Sequence, residues 1–255
     1  MLVDLHCHII PSVDDGPQKL IECLDMARAA VESGITHLFA TPHHLNGRYE
    51  NTKDYILNRV LMLNKDLHNS NISLIVHPGQ ELRIHRNLFT TLEMNEVLTL
   101  DNKGKYLLLE LPSGEVPTYT PDIVYELLLK GIIPIIVHPE RNKGFIEDSK
   151  LLLELVQMGA LTQLTSGSII GHFGKKVKSF SEKIIEHNLT HFIATDAHNI
   201  VSRGFSLQEA YETITKKFGI NRAFYFRENA ELLISGQHIY IEQPAPIRKK
   251  ILGIF

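Results

Sequence analysis

The sequence predicts an α/β protein whose strands and helices alternate along the chain and wind into a distorted, TIM-like (β/α)7 barrel. Three observations lead there. Short apolar runs alternate with segments of helical period, glycines and capping residues fall where those segments begin and end, and unusual polar residues gather at the ends of the apolar runs.

The runs Leu2–Leu5, Thr36–Ala40, Leu74–Val76, Tyr106–Leu111, Ile133–Val137, Leu161–Leu164 and Phe192–Thr195 read as seven strands. After the first, Leu20, Leu24, Ala27 and Val31 recur at spacings of four, three and four, which stripes one helix face. Tyr55, Ile56, Val60, Leu63 and Leu67 do the same in the next connection. Thr120-Pro121 offers an N-cap with proline at the first helical position, and Ser206 through Glu209 matches a capping box. Gly34, Gly131 and Gly159 each follow a helical pattern and precede a strand, where a C-cap glycine belongs. Strands joined through helices pair in parallel, and seven units are nearly enough to close a barrel. No Gly-x-Gly-x-x-Gly follows the first strand, which argues against an open dinucleotide-binding sheet. Residues 1–255 read as a single domain. Its tail from about Gly236, with Pro244, Pro246 and Arg248-Lys249-Lys250, reads as irregular and peripheral.

Hydrophobic residues make up 44% of the 255 and charged ones 22%, enough apolar side chain for a sizeable core in a water-facing domain. A net charge of -3 gives no electrostatic footprint for nucleic acid. The first residues carry Asp4 and no basic segment, unlike a signal peptide. No stretch approaches the ~20 apolar residues of a membrane span, and two cysteines do not make a secreted disulfide framework. The expected location is the cytoplasm.

Fourteen histidines are many for this length. His6 and His8 close the first strand, with Asp14-Asp15-Gly16 beyond; His43 and His44 follow the second. Glu81 follows the third, Glu110 lies near the end of the fourth, His138 and Arg141 follow the fifth, and Asp196 and His198 the seventh. In a parallel barrel those carboxyl ends meet on one face, where active sites are built. His-x-His on a strand sends both side chains the same way, and burying such imidazoles and carboxylates together is costly without cations. Imidazole and carboxylate without thiolate suit Mn, Fe, Co, Zn or Mg rather than a structural zinc knuckle. The candidate ligands outnumber what one ion needs, so two or three divalent ions are expected. Arg141 and Arg203 would present guanidinium forks to phosphate oxygens. Cys7, between the histidines, must face the helices. Cysteine-dependent phosphatases need an arginine shortly after the nucleophile, and Val13 and Ala29 hold those places after Cys7 and Cys23. Both thiols read as core.

With these motifs assembled, the chain resembles the PHP (polymerase and histidinol phosphatase) family of metallohydrolases. Within it the chain is similar to the bacterial tyrosine-protein phosphatases of capsule and exopolysaccharide synthesis (the YwqE and CpsB type). The resemblance rests on Asp-Leu-His-Cys-His-Ile-Ile-Pro, Val-Asp-Asp-Gly-Pro, Ala-Thr-Pro-His-His, Pro-Gly-Gln-Glu-Leu-Arg, His-Pro-Glu-Arg-Asn, Leu-Thr-Ser-Gly-Ser and Ala-Thr-Asp-Ala-His-Asn, which span residues 4–199. It implies the PHP fold and a manganese-containing centre. His6, His8, Glu110 and Asp196 would hold one ion with Glu110 bridging, and His43, Glu81, His138 and His198 would share the rest. Asp15, Arg141 and Arg203 would act on the phosphate or on proton transfer. The implied substrate is a phosphotyrosyl protein, a cognate bacterial tyrosine kinase. Residue chemistry alone leaves two alternatives open, a histidinol-phosphate phosphatase and a module that binds metal or a partner without turnover.

Overall fold

A computed structural model describes residues 1–248. The Lys249-Lys250 part of the expected basic tail lies outside the described residues. The chain runs β1 (Val3–Cys7), α1 (Leu20–Glu32), β2 (His37–Ala40), β3 (His43–His44) and α2 (Lys53–Asn69). Next come β4 (Ile75–Pro78), β5 (Glu81–Arg83), α3 (Leu88–Glu93), β6 (Tyr106–Glu110), α4 (Thr120–Leu129) and β7 (Ile133–Val137). It continues through α5 (Lys143–Glu147), α6 (Ser149–Met158), β8 (Leu161–Thr165), α7 (Ser166–Ile170), α8 (Lys175–Glu186), β9 (Phe192–Ala194), α9 (Leu207–Phe218) and α10 (Ile220–Ile234).

The strands pair in parallel in two sheets, β1-β2-β4 and β3-β5-β6-β7-β8-β9. Where seven strands were expected, nine form among the described residues, because the second and third are each broken in two. Pro42 has no N–H for a ladder at the first break. At the second, a Cβ on Gly79 would meet Leu100 Cδ2 at 2.8 Å and Thr41 Cγ2 at 2.9 Å, so the chain crosses there on glycine. Gly79 N–H donates to Ala40 O at 2.9 Å and Glu81 N–H to Pro42 O at 3.0 Å, which ties the broken pairs together. On the other flank, Asp196 N–H donates to His6 O and His8 N–H to Ala197 O, both at 2.8 Å. The ladder itself is not one closed ring.

Alternation along the strands sorts the side chains. Leu107, Leu109, Ile136, Leu164 and Ile193 join the large cluster that packs the helices. Tyr106, Leu108, Ile135, Val137, Leu161, Phe192 and Ala194 join a smaller cluster with Phe39, Leu100 and residues of α10. Continuing that second face two residues further puts Glu110 after Leu108, Gln163 after Leu161 and Asp196 after Ala194. β1 departs from strict alternation. Val3 and Leu5 belong to the smaller cluster and Cys7 to the larger one, and the β1–β2 register shifts between Asp4 and Cys7. That irregularity leaves His6 and His8 on the site side and Cys7 toward the helices, as expected.

The helix ends follow the glycines: Gly34, Gly131 and Gly159 have φ of 83°, 76° and 112°, the left-handed region that glycine enters without a Cβ penalty. Two capping expectations shift. α4 begins at Thr120 itself, one residue earlier. Ser206 sits at the N-cap of α9, but its hydroxyl makes no cap bond and instead meets Ser166 Oγ at 2.7 Å. The described tail is irregular but tied down: Asn229 holds both the N–H and the C=O of Tyr240, and Ala245 N–H donates to His187 O.

Candidate metal centre

The strand ends deliver all eleven predicted residues to one place. His6 and His8 are fully buried, with Glu81 1% and Asp196 2% exposed. The Nε2 atoms of His6 and His8 lie 3.2 Å apart. Glu81 Oε2 is 3.4 Å from the first and 3.3 Å from the second. Asp196 Oδ1 is 3.5 and 3.4 Å from the same pair. His43 Nδ1 approaches Glu81 Oε2 at 2.8 Å, and His138 Nε2 meets the other Glu81 oxygen at 2.9 Å. His198 Nε2 and His43 Nε2 face Asp15 Oδ1 at 3.2 and 3.5 Å. Arg141 and Arg203 both donate to the outer oxygen of Asp196, Arg203 at 2.6 Å.

What lies behind the imidazoles fixes what they present in front. His6 Nδ1 meets Gln163 Oε1 at 2.8 Å, and the Gln163 amide nitrogen already donates to Leu164 O, so His6 must donate there. His8 Nδ1 donates to Asp14 Oδ2 at 2.6 Å, and His198 Nδ1 to the Asp196 carbonyl at 3.0 Å. Neutral rings with Nδ1 protonated point Nε2 lone pairs inward, toward carboxylate oxygens and one another. Lone pairs facing lone pairs in a buried site call for cations. Buried Glu81 Oε2, Glu110 Oε2, His43 Nδ1 and His198 Nε2 likewise have no aligned hydrogen-bond partner. Three sets bring ligand atoms within 4.8 Å of one another: His6, His8 and Glu81; His43, Glu81 and Glu110; and His8, Asp15, His43 and His198. The residues fit a multinuclear metal centre.

Titration behaviour follows from this crowding. Burial disfavours charge on His8, but Asp14, Asp196 and Glu81 outweigh it and raise its pKa well above the ordinary value. Burial and the neighbouring Glu81 push Glu110 up to about 7. Burial, with Arg141 close by, brings His138 down to about 4. Asp15 is also desolvated, yet the imidazoles crowded around it, His198 first, hold it below the usual carboxylate range. Two site positions carry left-handed backbone, His138 at φ 39° and Asp196 at φ 54°. Such strain in non-glycine residues persists only where surrounding bonds impose it; here each N–H is held by a neighbouring strand, at Gln163 O and His6 O.

Glu81 and Asp196 are the carboxylates beside the His6 and His8 pair, whereas Glu110 stands 3.7 Å from His43 Nδ1 and pairs with Arg83 at 3.1 Å. Asp15, expected to act on phosphate or protons, sits among imidazoles as a candidate ligand. His44 points away, accepting from Asn51 N–H. The sequence assigned no role to Gln163, Arg83 or Asp14. Gln163 had a usable signal, a polar residue two after Leu161 and so on the same strand face.

A parallel α/β fold that gathers imidazoles, carboxylates and two arginines at its strand ends defines a class, the candidate metallohydrolase. A family model for capsular polysaccharide synthesis proteins, CpsB/CapC, matches residues 2–235. The chain belongs to that CpsB/CapC family. It is 45% identical over 255 residues to the tyrosine-protein phosphatase YwqE of Bacillus subtilis, covering 100% of both chains. It is 37% identical over 243 residues to a putative tyrosine-protein phosphatase CapC of Staphylococcus aureus, covering 95% of each. Among solved structures it superposes with a TM-score of 0.94 at 44% identity, over 97% of this chain and 100% of the other. That chain comes from the crystal structures of YwqE from Bacillus subtilis and CpsB from Streptococcus pneumoniae, described as metal-dependent tyrosine phosphatases.

Proposed function

We propose that this chain is a metal-dependent protein-tyrosine phosphatase, a phosphoric monoester hydrolase of capsule or exopolysaccharide synthesis. The observation that carries the reading is the set of inward lone pairs from His6, His8 and His198 facing carboxylates beside two arginines. We read the two sheets as one distorted (β/α)7 barrel of the PHP type and the chain as a single domain. Manganese is the ion we favour, in two or three sites, ahead of Mg, Fe, Co or Zn. His6, His8, His43, Glu81, Glu110, His138, Asp196 and His198 would hold the ions, with Asp15 beside them. Bound divalent ions would supply an activated water and neutralise phosphoryl charge.

The chain's own groups do the rest. Arg141 and Arg203 turn from Asp196 to the phosphate oxygens and orient them. Asp15, held ionised, is an acceptor and positions water rather than giving up a proton. A tyrosyl leaving group, with a conjugate-acid pKa of about 10, needs less protonation help than an alkyl alcohol. The substrate is a phosphotyrosyl protein, a cognate bacterial tyrosine kinase. Two buried unpaired thiols, Cys7 and Cys23, accord with a cytoplasmic setting. No helix among the described residues is long and apolar enough to cross a membrane.

The test compares metal-stripped and manganese-reconstituted protein on a phosphotyrosyl peptide, a phosphoseryl peptide and histidinol phosphate. Metal-dependent release should be fastest from the tyrosyl peptide. No release from it, or a higher kcat/KM on histidinol phosphate, overturns the reading.

A further inference from the structure

Two of the cavities at the metal centre share no lining residue. One is bounded by Glu110, Arg141 and Arg203 and belongs to the phosphate side. The other starts at Asp15 and His198 and runs outward as a groove between α1 and the loop of residues 199–203. On the loop wall stand Ile200, 55% exposed, and Val201, 91% exposed. On the α1 wall stand Glu22 and Asp25, with Pro17 beside them.

The loop is built to hold that display. Asn199 Oδ1 accepts from the N–H groups of Val201, Ser202 and Arg203 at 2.9, 2.8 and 3.3 Å. His198 N–H closes the loop on Arg203 O at 2.9 Å. The backbone that carries these two exposed apolar side chains is therefore tied down between a candidate ligand and a phosphate-binding arginine. Apolar surface held rigid beside a reactive site marks an interaction surface, and its preorganisation lowers the entropy cost of binding.

We propose that this groove docks the polypeptide flanking the phosphotyrosine, an inference that rests on the phosphatase reading. Its continuity with Asp15 and His198 makes the occupant the substrate chain itself. An apolar substrate residue seats against Ile200 and Val201, and a basic one faces Glu22 and Asp25. The Asp25 charge is shared with Arg28 at 2.8 Å, so it is the outer, tunable part of the recognition.

Kinetics of V201D and D25K on free O-phosphotyrosine and on phosphotyrosyl peptides with flanking lysine or glutamate test this. V201D should lower peptide kcat/KM about tenfold through KM while free phosphotyrosine is unaffected. D25K should shift preference from lysine-flanked toward glutamate-flanked peptide. Equal effects of V201D on both substrates, or none on either, overturn the docking site while leaving the phosphatase reading intact. Wild-type protein inactive even on free phosphotyrosine overturns both. A change in sedimentation coefficient for V201D would make the groove a contact between copies and also overturn the proposal.

Discussion

His8 Nδ1 and Asp14 Oδ2 are 2.6 Å apart, and that bond turns the His8 ring so that its Nε2 looks at His6, Glu81 and Asp196. An orienting carboxylate fixes the tautomer and raises the basicity of a ligating imidazole. Replacing Asp14 with Asn leaves the chain folded but weakens that orientation. D14N should lower manganese affinity by ~10–100-fold, measured by calorimetric titration of stripped protein. Unchanged affinity would show that Asp14 only serves the loop, where it also accepts from Gly16 and His43 N–H.

Metal loading should release protons. In the metal-free protein, carboxylates outweigh burial and raise the pKa of His6 and His8, so a second proton competes with an ion for each Nε2 more strongly than on a free imidazole. The sign follows: affinity rises as pH rises. Binding enthalpies measured in buffers of different ionisation heat should reveal net proton release near pH 7, and no buffer dependence would contradict it.

Arg141 and Arg203 meet on one oxygen of Asp196, and Arg141 is also braced by the Phe173 ring, 5.0 Å from its guanidinium carbon. Removing either guanidinium takes away a charge-assisted contact of about 1.5–3 kcal/mol. R141A and R203A should each lose about 10–100-fold in kcat/KM with metal content retained. A loss of metal equal to the loss of activity would assign them to holding Asp196 instead.

Asp4 gives a stability prediction. Burial raises its carboxyl from 3.8 to about 6, more than the bonds from Thr195 restore. The folded state then binds the proton more tightly than the unfolded one, so stability is greatest below the unfolded value and falls as pH rises through about 6. Relative to D4N, the wild type should lose up to roughly 3 kcal/mol across that window. Urea unfolding of both stripped proteins reads the difference, and a constant gap would refute the assignment.

Much of this was legible in the sequence because two periodicities carry it. Alternation in Tyr106–Glu110 and in Phe192–Ala194 leads directly to Glu110 and Asp196, and α2 buries Ile56, Val60, Leu63 and Leu67 of its expected stripe while Tyr55 stays exposed. α1 instead buries Cys23, Met26, Ala27 and Ala30, with Leu24 and Val31 half-buried and Leu20 exposed. The strand breaks at Pro42 and Gly79 were not read, since they depend on a close crossing against Leu100 and Thr41. Which carboxylate reaches the His6 and His8 pair is decided by strand register, and His43 pairs with Glu81 across β3 and β5 while Glu110 pairs with Arg83 across β5 and β6. Ser206 matched a capping box but found Ser166 nearer, a tertiary contact invisible in a local motif.

The central claim is that His6 and His8 share an ion, and anomalous diffraction from manganese-soaked crystals tests it most directly. An anomalous peak bonded to both Nε2 atoms and to a Glu81 or Asp196 oxygen is the expected result. Manganese found elsewhere, with those two nitrogens still facing each other without an ion, would contradict it.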